Sequence, residues 1–124
     1  MTGRRGIPSR PLRTKRWRAR WRGEVVVGVC HLDLVLPQGS SLKGKRQVIK
    51  SLTTRVRDKF NVSISEVGGH DLWQRVHMGI CLVGTDKRFV NSSLDKVLDY
   101  IEGLGVLEVV SSETEFWHVN YNEV

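Results

Sequence analysis

The chain has 124 residues, of which 40% are hydrophobic, and a formal net charge of +7. This length suffices for one domain with a two-layer core and excludes a large multidomain enzyme. Because no uninterrupted apolar run approaches the roughly 18 residues that a membrane span needs, we expect no membrane association.

The two cysteines, Cys30 and Cys81, form neither a CxxC pair nor a set with histidines at metal-ligand spacing. Small secreted domains usually carry several disulfides, so this pattern favours a reduced protein of the cytoplasm. No metal ion or other cofactor is predicted.

The positive charge is concentrated at the N-terminus. Residues 1–22 contain nine of the 20 Lys and Arg residues and no acid, which leaves 11 bases against 13 acids in the rest of the chain. The high overall charge therefore does not by itself predict that the remaining domain binds nucleic acid.

Residues 1–23 are predicted to form a disordered basic arm, since they combine glycine, proline and arginine with little apolar material. Trp17 and Trp21, set among arginines, could stack on bases while the arginines neutralise phosphates. A passive tail, or a segment upstream of the true start of translation, is the alternative. Residues 24–124 are predicted to form a single domain.

The first half of this domain is predicted to form a strand followed by a helix. Residues 24–36 alternate, with apolar side chains on both faces at the start of the strand. Pro37 and Gly39 end the strand, and Ser40 or Ser41 can cap a helix that runs to about Phe60. Its predicted buried stripe comprises Leu42, Ile49, Leu52, Val56 and Phe60.

The second half supplies two strands, a helix and a last strand. Alternation predicts strands over residues 61–67 and 75–84. Asp86 can cap the second helix and Gly103 or Gly105 can end it. Residues 106–116 are predicted to form the last strand, with residues 117–124 as a trailing segment. The helix buries Val90, Leu94, Val97, Leu98, Ile101 and Leu104.

The element order predicts a ferredoxin-like α+β fold, βαββαβ, with an antiparallel sheet and both helices on one face. Right-handed crossovers place the first and third strands in the centre of the sheet. In that register Cys30 points to the helices and Cys81 to the open face, so we expect no disulfide between them.

The first helix carries the clearest basic pattern in the domain. Several of its bases recur at spacings that place them on one ridge, which suits contact with phosphates. A solvated helix face is the equal alternative, because Lys and Arg are good helix formers. The predicted nucleic-acid-binding residues are Lys43, Lys45, Arg46, Lys50 and Arg57.

The open face of the sheet suggests other roles. The third strand lacks the aromatic residues that stack RNA bases, which disfavours RNA recognition through this face. Its outward valines predict that another subunit, a partner or the arm covers it, with ordinary scattered apolar surface as the alternative. A nucleophilic site would have to come from Cys81, His31, His77 and Asp33, but nothing in their spacing specifies one, so no catalytic residue is predicted.

Two motifs carry a resemblance to a known family. The first is Ser-Leu-Lys-x-Lys-Arg at residues 41–46, and the second is Glu-Val-Gly-x-x-Asp-Leu-Trp at residues 66–73. Together they resemble the YlxP-like proteins, a small bacterial family of unknown function. The resemblance implies a ferredoxin-like fold and a gene placed beside those for initiation factor two and a ribosome-binding factor. That context suggests ribosome assembly or translation.

The loop between the second and third strands is longer than a tight hairpin needs and contains a tryptophan. We expect Trp73 to fold back on the core and Asp71 to be held by backbone donors or by Arg75. Such a loop would be rigid and would display Glu66 and His70. The alternative is an exposed Trp73 that stacks on a base or docks a partner.

Two main functional hypotheses result, and a hydrolase that uses Cys81 or His77 is a third. The leading one is a non-enzymatic protein that associates with RNA or the ribosome, with the first-helix bases on phosphates. The alternative is a homodimer joined through the open sheet face, which binds other proteins and no nucleic acid.

Overall fold

The computed structural model describes residues 23–37, 41–70, 72 and 74–120. The predictions made for residues 1–22, for Asp71 and for Trp73 lie outside the described residues. Six elements follow one another in the described part of the chain, and their order is the predicted ferredoxin-like one. They are β1 (Glu24–Val35), α1 (Leu42–Lys59), β2 (Ser63–Gly68), β3 (Arg75–Gly84), α2 (Lys87–Leu104) and β4 (Glu108–Asn120).

The four strands form one antiparallel sheet in the order β2-β3-β1-β4. β1 and β3 are therefore central, as predicted, and β2 and β4 are the edges. The inward side chains of β1 and β3 pack with both helices in a single core, so the helices cover one face of the sheet. The other face is the open face.

The core consists of aliphatic side chains from every element, with Cys30 among them. Burial raises the pKa of the Cys30 thiol, a hydrogen bond with Thr114 opposes this effect, and the charge of Asp95 adds to it. Cys81 lies on the open face, paired with Val29, and both cysteines are free thiols. The predicted separation of the two cysteines is confirmed.

The helix caps follow from side-chain chemistry. Ser41 Oγ accepts a hydrogen bond from the backbone N–H of Gly44 at 3.1 Å, and Asp86 Oδ1 accepts one from that of Arg88 at 3.1 Å. Each cap satisfies a donor that has no partner within the first helical turn. α2 ends at Gly105, whose left-handed φ of 71° favours glycine.

Two sequence predictions about elements are wrong. Leu42 is 42% exposed and does not belong to the buried stripe of α1, because it is the first residue of the helix, at the rim of the core. The segment that begins at Trp117 does not trail, since β4 extends to Asn120. The reason is that residues 24–28 of the central strand β1 offer backbone partners to residues 116–120.

Neither helix in the described part of the chain is both long and apolar enough to cross a membrane.

Candidate nucleic-acid interface

Four exposed bases of α1 lie along one side of the helix, and we call them the basic ridge: Lys43, Arg46, Lys50 and Arg57. Their spacings of three, four and seven residues place them within about one sixth of the helix circumference. The buried residues Leu52 and Val56 lie on the opposite side. The sequence pattern therefore predicted the ridge correctly as a surface feature.

The ridge has no neutralising carboxylates among the described residues. Lys43, Arg46 and Lys50 make no ion pair or hydrogen bond there through their side chains. Arg57 Nη2 donates to the backbone carbonyl of Ile64 at 3.0 Å, which holds this guanidinium beside the edge strand β2. The cationic groups are therefore free to meet an anion, and Arg57 is already oriented.

Lys45 does not belong to the ridge, contrary to the prediction. Its side chain is 2% exposed and points under the helix, where Nζ lies 3.3 Å from Glu66 Oε2. Nζ also donates to the carbonyls of Gly69 at 2.6 Å and Leu72 at 2.5 Å. One ion pair and two hydrogen bonds engage its ammonium group inside the protein, so Lys45 ties α1 to the loop and cannot contact a phosphate.

A signal for this burial was present in the sequence. Lys45 precedes Ile49, Leu52 and Val56 by four, seven and eleven residues, which are the spacings of one helix face. A lysine at a core position of that pattern requires an internal partner. The partner, Glu66, is on another element and could not be found from helix periodicity.

The residues predicted to form a loop surface do not all lie at the surface. Glu66 is 19% exposed and faces Lys45, so it is not displayed. His70 is exposed, with Nε2 3.8 Å from Glu66 Oε1. Arg75, the proposed partner of Asp71, has Nη2 3.4 Å from Asp33 Oδ2 on β1.

The open face has an apolar end and a polar end. Val27 on β1 is paired with both Val83 on β3 and Trp117 on β4, so the three side chains lie side by side. Val83 is 63% and Trp117 60% exposed. Trp117 was missed as a residue of this face because its segment was not recognised as a strand. The segment Glu-Phe-Trp-His-Val has no clean alternation of apolar and polar residues, so the pattern offered no clear signal.

The polar end surrounds a shallow cavity of about 310 Å³. Asp33 is part of its lining, with Oδ1 3.6 Å from His77 Nδ1 and Oδ2 3.4 Å from Arg75 Nη2. His31 and Glu113 complete the charged or titratable lining. The cavity brings three of the four nucleophilic-site candidates together, but not the nucleophile. Cys81 lies four residues from His77 along β3, about 13 Å away.

Charge is divided between the two sides of the molecule. α1 contains seven Lys and Arg residues and one acid, Asp58. β4 contains Glu108, Glu113 and Glu115 and no Lys or Arg. The positive side is thus the exposed helix, and the open face with its edge strand is negative.

Comparison with known proteins identifies relatives but no activity. A family described as a protein of unknown function, DUF503, matches residues 27–114. The uncharacterized protein YlxP of Bacillus subtilis (strain 168) is 37% identical over 92 residues, which cover 74% of this chain and 100% of that protein. The de novo designed protein Foldit4 is 21% identical with a TM-score of 0.40, over 77% of this chain and 96% of that one.

Proposed function

This chain belongs to the YlxP-like DUF503 family, whose function is unknown, and we propose that it is a non-enzymatic RNA-binding protein that acts in association with the ribosome. The basic ridge contacts the phosphate backbone, and no chemical step is involved.

The observation that carries this proposal is the unneutralised state of the ridge. Lys43, Arg46 and Lys50 are exposed and have no acidic partner among the described residues. Surface lysines and arginines in a merely solvated helix face are commonly interleaved with acids at helical spacing. Here the only acid of α1 is Asp58, so the potential along the ridge stays positive and favours a polyanion.

The start of α1 adds to this potential. The helix has no acid in its first turn, where Lys43 lies, and Arg46 follows one turn from the cap. The N-terminal end of a helix carries a partial positive charge from its backbone dipoles. Bases at this end repel that charge and lower the stability of the helix slightly, which an anion bound there reverses.

The open face supports RNA binding less well. Its exposed aromatic residue, Trp117, lies on the same strand face as Glu113 and Glu115, whose carboxylates repel phosphates. Stacking platforms for single strands combine aromatic side chains with a positively charged groove. The proposal therefore places RNA on α1.

A pair of matched double variants tests the proposal. Arg46→Gln with Lys50→Gln removes two charges from the ridge, and Arg88→Gln with Lys96→Gln removes the same two residue types from exposed positions on α2. Affinity for a fluorescently labelled RNA is measured by anisotropy over a range of salt concentrations. Each variant is made in the full chain and in a chain that starts at residue 23, which removes the nine bases of residues 1–22.

The ridge variant should bind RNA more weakly in both chains. Its slope of log affinity against log salt should be smaller by about 1.4, since each lost phosphate contact to a single strand contributes about 0.7. The α2 variant should retain the slope of the parent chain. An equal loss of RNA affinity in the two double variants would reject a specific role for the ridge. A failure of the chain that starts at residue 23 to bind RNA would reject it too.

A further inference from the structure

The open face combines an apolar surface with a row of carboxylates. At its apolar end, Val83, Val27 and Trp117 are adjacent on three neighbouring strands. Along β4 on the same face, Glu115 and Glu113 follow Trp117. Contiguous exposed apolar side chains mark a contact surface. A complementary occupant would carry aromatic side chains among positive charges.

The chain itself contains such a sequence. Residues 1–22 have nine Lys and Arg residues, no acid, and two tryptophans, Trp17 and Trp21. The segment joins the domain through Gly23 at Glu24, which is paired with Asn120 at the apolar end of the open face. The attachment point is therefore beside the surface to be covered.

The lengths are sufficient for contact. Trp21 precedes Glu24 by three residues, which span at most about 11 Å. That distance reaches Trp117, whose partner Val27 is three residues beyond Glu24 on β1. Trp17 precedes Glu24 by seven residues, or at most about 25 Å, which is enough to pass Glu115 along the face.

We propose that residues 1–22 bind in cis to the open face of their own domain. Trp21 and Trp17 cover the apolar end, and the arginines between and beside them pair with Glu115 and Glu113. This inference is independent of the RNA-binding role of α1, because it concerns the opposite side of the domain.

Charge favours this occupant over a second copy of the domain. Two open faces packed against each other would bring the Glu113 and Glu115 rows of both copies into one interface. β4 has no Lys or Arg to pair with them, and like charges across an interface oppose association. The basic segment brings the opposite charge to the same place.

Cys81 provides a natural reporter of coverage. Its side chain lies half-buried on the open face beside Val29, whereas Cys30 is buried in the core and serves as a silent internal control. The alkylation rate of Cys81 by iodoacetamide is measured in the full chain and in a chain that starts at residue 23. All six elements and the described core lie within residues 24–120, so the shorter chain retains the domain; equal circular dichroism spectra check this.

The full chain should react more slowly at Cys81. A segment bound for nine tenths of the time would slow the reaction about tenfold, since only the unbound fraction reacts. Nearby positive charges lower the pKa of a thiol and speed its alkylation. A basic segment that did not cover the face would therefore leave the rate unchanged or raise it, and either result would overturn the proposal.

Charge reversal at the acidic row gives a second readout. Glu113→Lys with Glu115→Lys should speed alkylation of the full chain toward the rate of the shorter one, and should have a much smaller effect in the shorter chain. The matched control, Asp99→Lys with Glu102→Lys, changes two exposed acids on α2 and should leave the protection intact. Equal effects of the two double variants would count against the proposal.

Dilution distinguishes binding in cis from binding between molecules. Protection within one chain is independent of protein concentration, and light scattering should show a monomer throughout. Protection that disappears on dilution, together with a dimer at high concentration, would instead assign the open face to a second copy and reject the cis contact.

Discussion

The two helices have the same length, 18 residues each, but they differ in the side chains that they bury and in their charge. α2 buries four aliphatic side chains, Val90, Leu94, Val97 and Ile101, and carries three bases and three acids. α1 buries Leu52, Val56 and a lysine, and its bases outnumber its acids by seven to one. α2 therefore contributes mainly to the core, whereas α1 also presents a positively charged surface.

The two helices are also held to the rest of the domain by different kinds of contact. α2 packs closely on β1, where a Cβ added to Gly28 would overlap Val90 Cγ1 and lie 3.0 Å from Leu94 Cδ1. α1 is fastened at its start by the polar contacts of Lys45 with the loop after β2. Close apolar packing therefore holds α2 on the sheet, whereas α1 combines apolar contacts with a buried ion pair near its start.

The largest effect is expected from Lys45→Met. The variant should lose about 3 to 5 kcal/mol of unfolding free energy, because it leaves the Glu66 carboxylate and two carbonyls without their partner. Denaturant unfolding measures the loss, and the exposed Lys96→Met on α2 is the control, with an expected change within about 0.5 kcal/mol. Adding Glu66→Gln to Lys45→Met should recover part of the stability. Equal stability of the two lysine variants would mean that α1 is held by its apolar contacts alone.

Gly28→Ala should cost about 1 to 3 kcal/mol, because the new methyl group forces α2 away from β1. Gly103→Ala, in the last turn of α2, is the matched control. A Cβ at residue 103 has no atom within 4 Å, so this change should stabilise the protein by up to about 0.5 to 1 kcal/mol. The two thermal midpoints should move in opposite directions. A neutral Gly28→Ala would contradict the close packing of α2 on the sheet.

Ser41→Ala should cost about 1 kcal/mol, because the backbone N–H of Gly44 loses the side-chain oxygen that caps α1. Ser51→Ala, at an exposed position within the same helix, should not destabilise the protein, since alanine is the better helix former. Denaturant midpoints of the two variants test this. An equal loss of stability in both variants would show that the Ser41 cap contributes nothing beyond the general effect of replacing serine by alanine in this helix.

The smallest expected effect is an increase in stability. Gly44→Ala should stabilise α1 by about 0.5 to 1 kcal/mol, because its Cβ would meet only Ser41 Oγ at an ordinary 3.5 Å. RNA affinity should not change, since residue 44 lies away from the basic ridge. Weaker RNA binding by this more stable variant would mean that RNA approaches the start of α1 more closely than the ridge geometry requires.

Much of the fold follows from local sequence patterns. The alternation in residues 75–84 gives the bounds of β3, and the helical spacing of Val90, Leu94, Val97 and Ile101 gives the buried face of α2. Ser41 and Asp86 were candidates for the helix caps and occupy those positions in the structure. Such features depend on neighbours within a few residues, and their order then leaves few ways to arrange the sheet.

Three features of the candidate surfaces depend on contacts between distant parts of the chain. Lys45 is buried because Glu66 and the carbonyls of Gly69 and Leu72 reach it from another element. Trp117 belongs to the open face because β1 is long enough to pair with it at Val27. Asp33 meets His77 because the two are directly opposite in the register of β1 and β3.

The sequence by itself determined the element order, the fold class and the basic character of α1, because each is expressed in residue spacing along one segment. The tertiary structure decided that Lys45 is buried while the other predicted bases face solvent, that Glu66 neutralises it, and that Trp117 joins the open face. Helical spacing can place a charged side chain on the core side of a helix, but it does not identify the partner that the side chain meets there. Only the partners that folding brings within about 4 Å determine whether its charge is free to bind another molecule.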